Sequence, residues 1–323
     1  MLNENKLNPE IVKKVFKENF STIHVKFLIH QSEFMTSIYG RYFNDLESAS
    51  IVMYFAKKLH LSILRQREID LNYDISFNNF YENNKKFNLN RLKLIDVARH
   101  SGLPRETVRR KINELIKFKV LKKNSQIISW DPLVPEKLPY NNLVKKDIHT
   151  LSKLIKDILF FLDSNKSLEY IEKEIEKNYS FYWYHYLNTQ QVFFKNWQKN
   201  IKDLELLLIG LECSILGAQE HSKKKYNFDE VFSKKINDSK DCTISASTIS
   251  NITGIPRATC IRKLSKLIKY KLIKKDAQLR KYYFDFKNYG NSIINSKQNN
   301  AKIIDLYSDF FYVIIRALNR KND

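Results

Sequence analysis

Two stretches of the chain share one pattern of apolar and polar positions. In each stretch the apolar residues recur at i, i+4, i+7 and i+8, as Val108, Ile112, Leu115 and Ile116 and again as Cys260, Leu264, Leu267 and Ile268. This spacing places four apolar side chains along one side of a helix. The intervening positions are mostly Lys, Arg and other polar residues, so each stretch predicts an amphipathic helix with a cationic outer side.

The segments around each basic helix predict further elements in the same order. A short apolar helix ends at Gly102 or Gly254, because glycine adopts the left-handed conformation of a helix terminus without strain. Pro104 suits a first helical turn. After each basic helix, a Val-Leu-Lys-Lys or Leu-Ile-Lys-Lys segment opens an alternation that predicts two short strands. Longer helices are expected to flank these units, at about 20–60, 147–163, 167–220 and 300–318.

Residues 102–123 and 254–275 align without a gap at a spacing of 152 residues. Identical pairs include Gly102/Gly254, Pro104/Pro256, Arg105/Arg257, Thr107/Thr259, Arg110/Arg262, Lys111/Lys263 and Leu115/Leu267. A match at a fixed period indicates an internal duplication. Asp45-Leu46-Glu47 recurs as Asp203-Leu204-Glu205 at a spacing of 158, and we assign the six-residue difference to the Asn-rich stretch 72–90.

The duplication predicts two domain-sized copies, over roughly 20–165 and 178–316. We therefore expect a mainly α protein of two domains, 1–165 and 166–323, each with a short β-hairpin and long flanking helices. Six Gly and six Pro in 323 residues agree with a high helix content.

Composition excludes several classes of protein. The chain contains no uncharged apolar run of about 18 residues, and its first residues lack the apolar centre of a signal peptide. We expect a soluble, cytoplasmic, nucleoid-associated protein without a membrane partner. The three cysteines are scattered, which predicts reduced thiols, and Cys260 is expected to fill a core position.

The distribution of charge is more informative than its total. The net charge is +21, to which residues 91–123 contribute +8 and residues 243–281 contribute +9. Together these 72 residues carry +17 of the +21. A phosphate-binding surface concentrates positive charge in this way, whereas a general compositional bias would spread it along the chain.

The repeated motif, Gly-x-Pro-Arg-x-Thr-x-x-Arg-Lys-x-x-x-Leu followed by two apolar residues and two lysines, resembles the recognition helix and wing of bacterial winged helix-turn-helix transcription regulators. The MarR, GntR and IclR groups are the most similar, and the resemblance covers about 40 residues in each copy. It implies a recognition helix in the major groove of double-stranded DNA and a hairpin along the phosphates.

The resemblance also implies which residues contact DNA. In the first copy they are Arg105, Thr107, Arg109 and Arg110, with Lys122 and Lys123 at the wing, and in the second copy they are Arg257, Thr259 and Arg262, with Lys274, Lys275 and Arg280 towards the wing. The helical period places Asn113, Lys117, Ser265 and Lys269 on the same outer sides, and we expect them to contact DNA as well. Ile261 stands in place of Arg109 and Ala258 in place of Glu106, so we expect the first copy to discriminate sequence more strictly. Arg105 and Arg257 could instead contact phosphates only.

Other chemistries find little support in the sequence. The seven histidines form no metal-binding motif, no glycine-rich phosphate loop is present, and no carboxylate pair stands out for catalysis. We therefore expect no metal, no cofactor and no enzymatic activity. The aromatic segment 181–186, with Trp197, favours a helix–helix core or dimer interface over the pocket of a small-molecule effector.

Two alternatives to a transcription regulator remain open. The first is a plasmid- or phage-type replication initiator, and the second is a winged-helix protein–protein adaptor with apolar outward faces. The oligomeric state is also open, between a homodimer and a single chain carrying both DNA-binding units. In the second case two unlike recognition helices predict an imperfect inverted repeat as the DNA site.

Overall fold

A computed structural model describes residues 7–83, 93–125, 127–232, 242–285 and 296–320. The described residues form fourteen helices and four short strands, so the mainly α prediction is confirmed. The first nine elements are α1 (Pro9–Glu18), α2 (Phe20–Arg41), α3 (Leu46–Ile69), α4 (Phe77–Asn83), α5 (Leu94–Ser101), α6 (Arg105–Lys117), β1 (Leu121–Asn124), β2 (Ile127–Trp130) and α7 (Tyr140–Phe161).

The next nine elements repeat the same order of helices and strands. They are α8 (Leu168–Lys177), α9 (Tyr179–Ile201), α10 (Leu204–Lys223), α11 (Phe228–Phe232), α12 (Ala246–Thr253), α13 (Arg257–Lys269), β3 (Ile273–Lys275), β4 (Tyr282–Phe284) and α14 (Ser296–Asn319). The repeat therefore includes α1 and α8, which sequence matching did not detect. Both are ten-residue helices capped at the start by a side chain, Asn8 or Ser167, and both end at an asparagine.

The long flanking helices predicted at 20–60 and 167–220 are each interrupted, and in this respect the prediction was wrong. Asn44 and Lys202 adopt left-handed conformations, with φ of 59° and 51°. The next residue in each copy, Asp45 or Asp203, accepts backbone N–H groups of the following turn as the N-cap of α3 or α10. The repeated Asp-Leu-Glu segment thus begins a new helix.

The length difference between the copies lies mainly at the end of α3. This helix has 24 residues where α10 has 20, and the following connection covers residues 70–76 where its counterpart covers 224–227. The predicted location, 72–90, was therefore too far along the chain. Part of that stretch, residues 84–90, falls outside the described residues.

The predicted glycine turns are confirmed. Gly102 and Gly254 both have φ of +74°, and their N–H groups donate to the carbonyls of Ala98 and Ser250, which closes α5 and α12. Pro104 and its counterpart Pro256 stand one residue before the next helix, so their missing N–H groups leave no intrahelical hydrogen bond unmade.

The two predicted hairpins are also present. In the first, Leu121 pairs with Trp130 and Asn124 with Ile127. The second pairs Ile273 with Phe284 and Lys275 with Tyr282, and its loop is longer. In both hairpins the residue after the second strand, Asp131 or Asp285, donates its backbone N–H to the residue before the first strand, at 2.9 Å.

The chain forms two compact units, and each combines pieces of both copies. Unit 1 contains residues 1–37, 153–165 and 200–323, and unit 2 contains residues 38–152 and 166–199. Unit 1 therefore joins α1 and most of α2 to α10–α14, whereas unit 2 joins α8 and most of α9 to α3–α6 and the first hairpin. The domain boundary predicted at 165/166 separates the two copies along the sequence and stays a prediction about independent folding.

Within each unit, equivalent contacts hold the helical pair of one copy to the other copy. In unit 1, Ser21 at the start of α2 donates its N–H to the carbonyl of Tyr226, and Phe20 packs edge-on against Phe228 at 5.1 Å. In unit 2, Ser180 at the start of α9 donates to Ile75, and Tyr179 packs edge-on against Phe77 at 4.9 Å. The two copies have thus exchanged their N-terminal helices reciprocally.

Among the described residues, no helix is both long enough and apolar enough to cross a membrane.

Candidate nucleic-acid interface

The outer side of α6 is polar and largely exposed. We call it the α6 face, and it consists of Arg105, Glu106, Arg109, Arg110, Asn113, Glu114 and Lys117. Two of its arginines are paired on the helix surface, Arg109 with Glu106 at 2.6 Å and Arg110 with Glu114 at 3.0 Å. The face therefore presents four cations and two carboxylates.

The outer side of α13 occupies the equivalent positions with different chemistry. We call it the α13 face, and it consists of Arg257, Ala258, Ile261, Arg262, Ser265, Lys266 and Lys269, all exposed. It presents four cations, and α13 contains no acidic residue. Arg257 is positioned by Ser247 of α12, whose hydroxyl accepts from its Nε at 3.0 Å.

The inner sides of both helices are apolar, as predicted. Val108, Ile112 and Leu115 are buried in unit 2, and Cys260, Leu264 and Leu267 are buried in unit 1. Ile268 was predicted to lie inside but is 36 % exposed. The buried arc of α13 extends instead to Lys263, on the opposite edge of the stripe.

Lys111 and Lys263, two cations of the repeated motif, point away from solvent. The Lys111 ammonium donates to Asp45 and lies 3.8 Å from Glu47, and that of Lys263 lies 2.7 Å from Asp203 and 2.9 Å from Glu205. Burial acts to raise the pKa of Asp45, but the hydrogen bonds from Lys111 and Ser48 outweigh it and lower that pKa. These lysines fasten the basic helices to α3 and α10.

Lys122 and Lys274, predicted to contact phosphates, each pair with a buried aspartate. The Lys122 ammonium lies 2.6 Å from Asp131, and that of Lys274 lies 2.9 Å from Asp285. Both aspartates directly follow the second strand of a hairpin, so each ion pair crosses the base of that hairpin. Because a neighbouring carboxylate offsets their charge, these two lysines offer less attraction to a phosphate than their number suggests.

The remaining hairpin candidates are exposed. Lys123 and Lys275 lie on outer positions of the first strand in each hairpin. Arg280, at φ of 52°, ends a loop that Asp276 holds by accepting the N–H groups of Gln278 and Leu279. The second hairpin thus carries Arg280 on a loop that the Asp276 side chain holds by hydrogen bonds.

The polar, uncharged candidates differ in accessibility. Thr107 and Thr259 are half-buried, near the start of each basic helix. Asn113 is exposed, whereas the exposed Ser265 donates its hydroxyl to the carbonyl of Ile261 at 3.0 Å. Asn113 therefore offers both an amide donor and a carbonyl acceptor, and Ser265 in this rotamer offers an acceptor only.

Other exposed cations near these faces were missing from the predicted contacts, among them Lys271, which follows α13 with φ of 57°. Lys266 lies in the middle of the α13 face, and Lys281 stands beside Arg280 in the second hairpin. Lys119 follows α6 with φ of 61°. The sequence contained the information needed to find Lys266. The 152-residue spacing aligns this lysine with Glu114, a polar position on the outer side of α6.

The aromatic segment of α9 belongs to the core of unit 2. Tyr182, Trp183 and Tyr186 are buried, and Trp183 packs at 5.0 Å from both Tyr179 and Tyr186. The Tyr179 hydroxyl lies 2.8 Å from that of Tyr140. The favoured interpretation, a helix–helix core, is confirmed for these residues.

Among the described residues, no three His, Cys, Asp or Glu side chains gather in a way that could hold a metal ion. Cys213 and Cys260 are buried free thiols, and burial raises the pKa of both. The core position predicted for Cys260 is confirmed. No known protein family, curated protein or solved structure matches the chain.

Proposed function

We propose that the protein binds double-stranded DNA sequence-specifically through two winged helix-turn-helix domains and acts as a transcription regulator. In this proposal α6 and α13 enter the major groove, and the hairpins contact the flanking phosphates. The observation that carries the proposal is the repetition of one arrangement. In both units a short helix, a left-handed glycine, an exposed cationic helix and a hairpin follow each other on an apolar base.

Charge separates this proposal from the adaptor alternative. An adaptor requires apolar outward faces, yet the α6 and α13 faces carry four cations each. The exposed apolar residues of α13, Ile261 and Ile268, are 37 % and 36 % exposed and lie among those cations. A duplex rich in phosphates complements such a surface better than an apolar protein partner does.

The experiment measures binding to fragmented genomic DNA and to random duplex over a salt series. The test variant is Arg110→Ala/Arg262→Ala, which removes one exposed arginine from each face. Its matched control is Lys14→Ala/Lys173→Ala, which removes two exposed cations at equivalent positions of α1 and α8. We expect wild type and control to enrich the same fragments, and the test variant to lose roughly one to two orders of magnitude in affinity for them.

Two results would contradict the proposal. Equal binding of all duplexes by wild type would exclude sequence recognition, and equal loss in test and control variants would show that only total charge matters. The enriched fragments also decide between regulator and initiator. Promoter sites support regulation, whereas an array of repeated sites at an origin supports replication initiation.

A further inference from the structure

The α6 and α13 faces differ in charge at three equivalent positions, one of which is Arg109, opposite Ile261. Glu106 of α6 corresponds to Ala258 of α13, and Glu114 corresponds to Lys266. Arg105, Arg110 and Lys117 each have a cationic counterpart. The α6 face thus carries +2, from four cations and two carboxylates, and the α13 face carries +4 from four cations alone.

The two glutamates are engaged with the arginines of the same face. The Glu106 carboxylate lies 2.6 Å from the Arg109 guanidinium, and that of Glu114 accepts a hydrogen bond from Arg110 at 3.0 Å, so each guanidinium has a carboxylate beside it on the helix surface. On α13, no carboxylate of the described residues lies within ion-pair distance of Arg262, Lys266 or Lys269. These three cations are free to follow a phosphate backbone.

The glutamates change what α6 gains from DNA. A carboxylate repels phosphates, so it lowers the affinity for duplexes in general. It also accepts hydrogen bonds from the N4 amino group of cytosine, which supplies an acceptor that Arg and Lys lack. With Arg109, Arg110 and Asn113 beside them, the glutamates give the α6 face partners for guanine, adenine and cytosine.

We propose that the two faces divide the work of binding, with Glu106 and Glu114 as specificity-determining residues. The α13 face holds duplex DNA of any sequence through its phosphates, and the α6 face binds well only where the bases satisfy its arginines and glutamates. This inference rests on the proposed DNA-binding function and assigns the substrate preference of each half of the site.

The test exchanges the two glutamate positions between the faces. One variant, Glu106→Ala/Glu114→Lys, gives α6 the residues of α13 and adds three positive charges. The other, Ala258→Glu/Lys266→Glu, gives α13 the residues of α6 and removes three. All four side chains lie on outer helix surfaces, and circular dichroism checks that both variants fold. Affinity is measured for random duplex and for the duplex that wild type selects, each over a salt series.

We expect opposite results from the two variants. The α6 exchange should bind random duplex about tenfold tighter or more, and its preference for the selected duplex should fall by a similar factor. The α13 exchange should weaken binding to both duplexes by similar factors, flatten the salt dependence and keep the preference.

The division of work is overturned if the α6 exchange keeps the wild-type preference, or if the α13 exchange abolishes it. Failure of the proposed function looks different, because wild type itself would then show no preference between the two duplexes. The wild-type measurement therefore separates the two failures.

Discussion

Units 1 and 2 share the contacts that form the glycine turn, the basic helix and the hairpin. They differ in the polar side chains that are buried in their interiors. Both have a left-handed glycine, a lysine tied to the N-cap of the preceding long helix, and a lysine–aspartate pair at the base of the hairpin. Unit 2 adds a buried arginine: Arg41 donates to the carbonyls of Pro132, Val134 and Pro135. At the corresponding end of α9, Lys199 and Asn200 are both exposed.

The polar groups buried in the cores differ as well. Unit 1 buries Gln31, which donates to the Tyr307 hydroxyl at 2.7 Å, and Glu212, which accepts from Ser32. Burial raises the pKa of Glu212. Unit 2 buries Lys57, which donates to Asn188 at 3.1 Å, and burial lowers the pKa of Lys57 to about 8. The two units therefore have the same helix caps and the same ion pairs at the ends of their elements, whereas the polar residues buried in their interiors differ.

The largest effect is expected from separating the copies between residues 165 and 166. Each half then lacks the helical pair that the other half supplies, so an apolar surface in each unit is uncovered. We expect neither half to fold alone and an equimolar mixture to regain helicity. Circular dichroism follows both halves, and all three tryptophans, Trp130, Trp183 and Trp197, report on unit 2.

A protease site inserted at Ser164 supplies the control for that separation. Cleavage of the folded protein there should leave the two halves associated, because the exchanged helices remain packed. Two halves that each fold as native-like monomers, judged by light scattering and circular dichroism, would support the predicted domains 1–165 and 166–323 as independent units.

The substitution Arg41→Met tests the buried arginine of unit 2, which has no equivalent in unit 1. The change leaves one buried and two partly buried carbonyl groups without their donor, and we expect a loss of about 3 kcal/mol in the free energy of unfolding. Tryptophan fluorescence during urea denaturation measures it. Arg67→Met is the control, since half-exposed Arg67 donates to one carbonyl, that of Tyr73. An equal loss in both variants would contradict a special role for Arg41.

Lys111→Met and Lys263→Met remove equivalent ion pairs in the two units, between the basic helix and the start of the preceding long helix. Each change removes the ammonium group that two partly buried carboxylates share, and we expect the free energy of unfolding to fall by about 2 kcal/mol. Tryptophan fluorescence measures this loss for Lys111→Met, and circular dichroism measures it for Lys263→Met. Lys263 should cost slightly more, because both its carboxylates lie within 3 Å. Lys117→Met, on the exposed α6 face, should cost almost nothing.

The loss of unfolding free energy caused by Lys111→Met should also depend on pH. The pKa of Asp45 is lowered in the folded state, so its ionised form stabilises the protein above the unfolded pKa of about 3.9. That contribution is lost as pH falls through the folded pKa. The difference between wild type and Lys111→Met should therefore be full at pH 7 and shrink below about pH 4. A constant difference over this range would exclude the ion pair as its cause.

The smallest effect is expected from alanine at the two turn glycines. Both have φ of +74°, where an alanine costs about 1 kcal/mol. At Gly102 the added Cβ would also lie 2.9 Å from Oε1 of Gln198, whereas nothing lies within 4 Å at Gly254. Gly102→Ala should thus lower the free energy of unfolding by a few tenths of a kcal/mol more than Gly254→Ala does, measured by thermal denaturation. A larger loss at Gly254 would contradict this order.

Local features were predictable from the sequence because their causes are local. The left-handed turn needs glycine at 102 and 254, and alternation sufficed for the hairpins. The roles of Lys111 and Lys263 were not predictable, because a lysine on an amphipathic helix is normally solvated and its partners lie about 60 residues away. Periodicity shows which side of α2 or α9 is apolar, but it does not say which copy covers that side. The exchange of helices was therefore invisible.

The exchanged helices also impose an order on synthesis. Every residue of unit 2 has been translated by residue 199, whereas Phe20 of unit 1 must wait for Phe228. At elongation rates of about 5–20 residues per second, those roughly 200 residues take about 10–40 s. During this time the apolar sides of α1 and α2 have left the ribosome without their partners. The N-terminal helices are thus the part of the nascent chain with the greatest need for a chaperone, and unit 1 is the last to close.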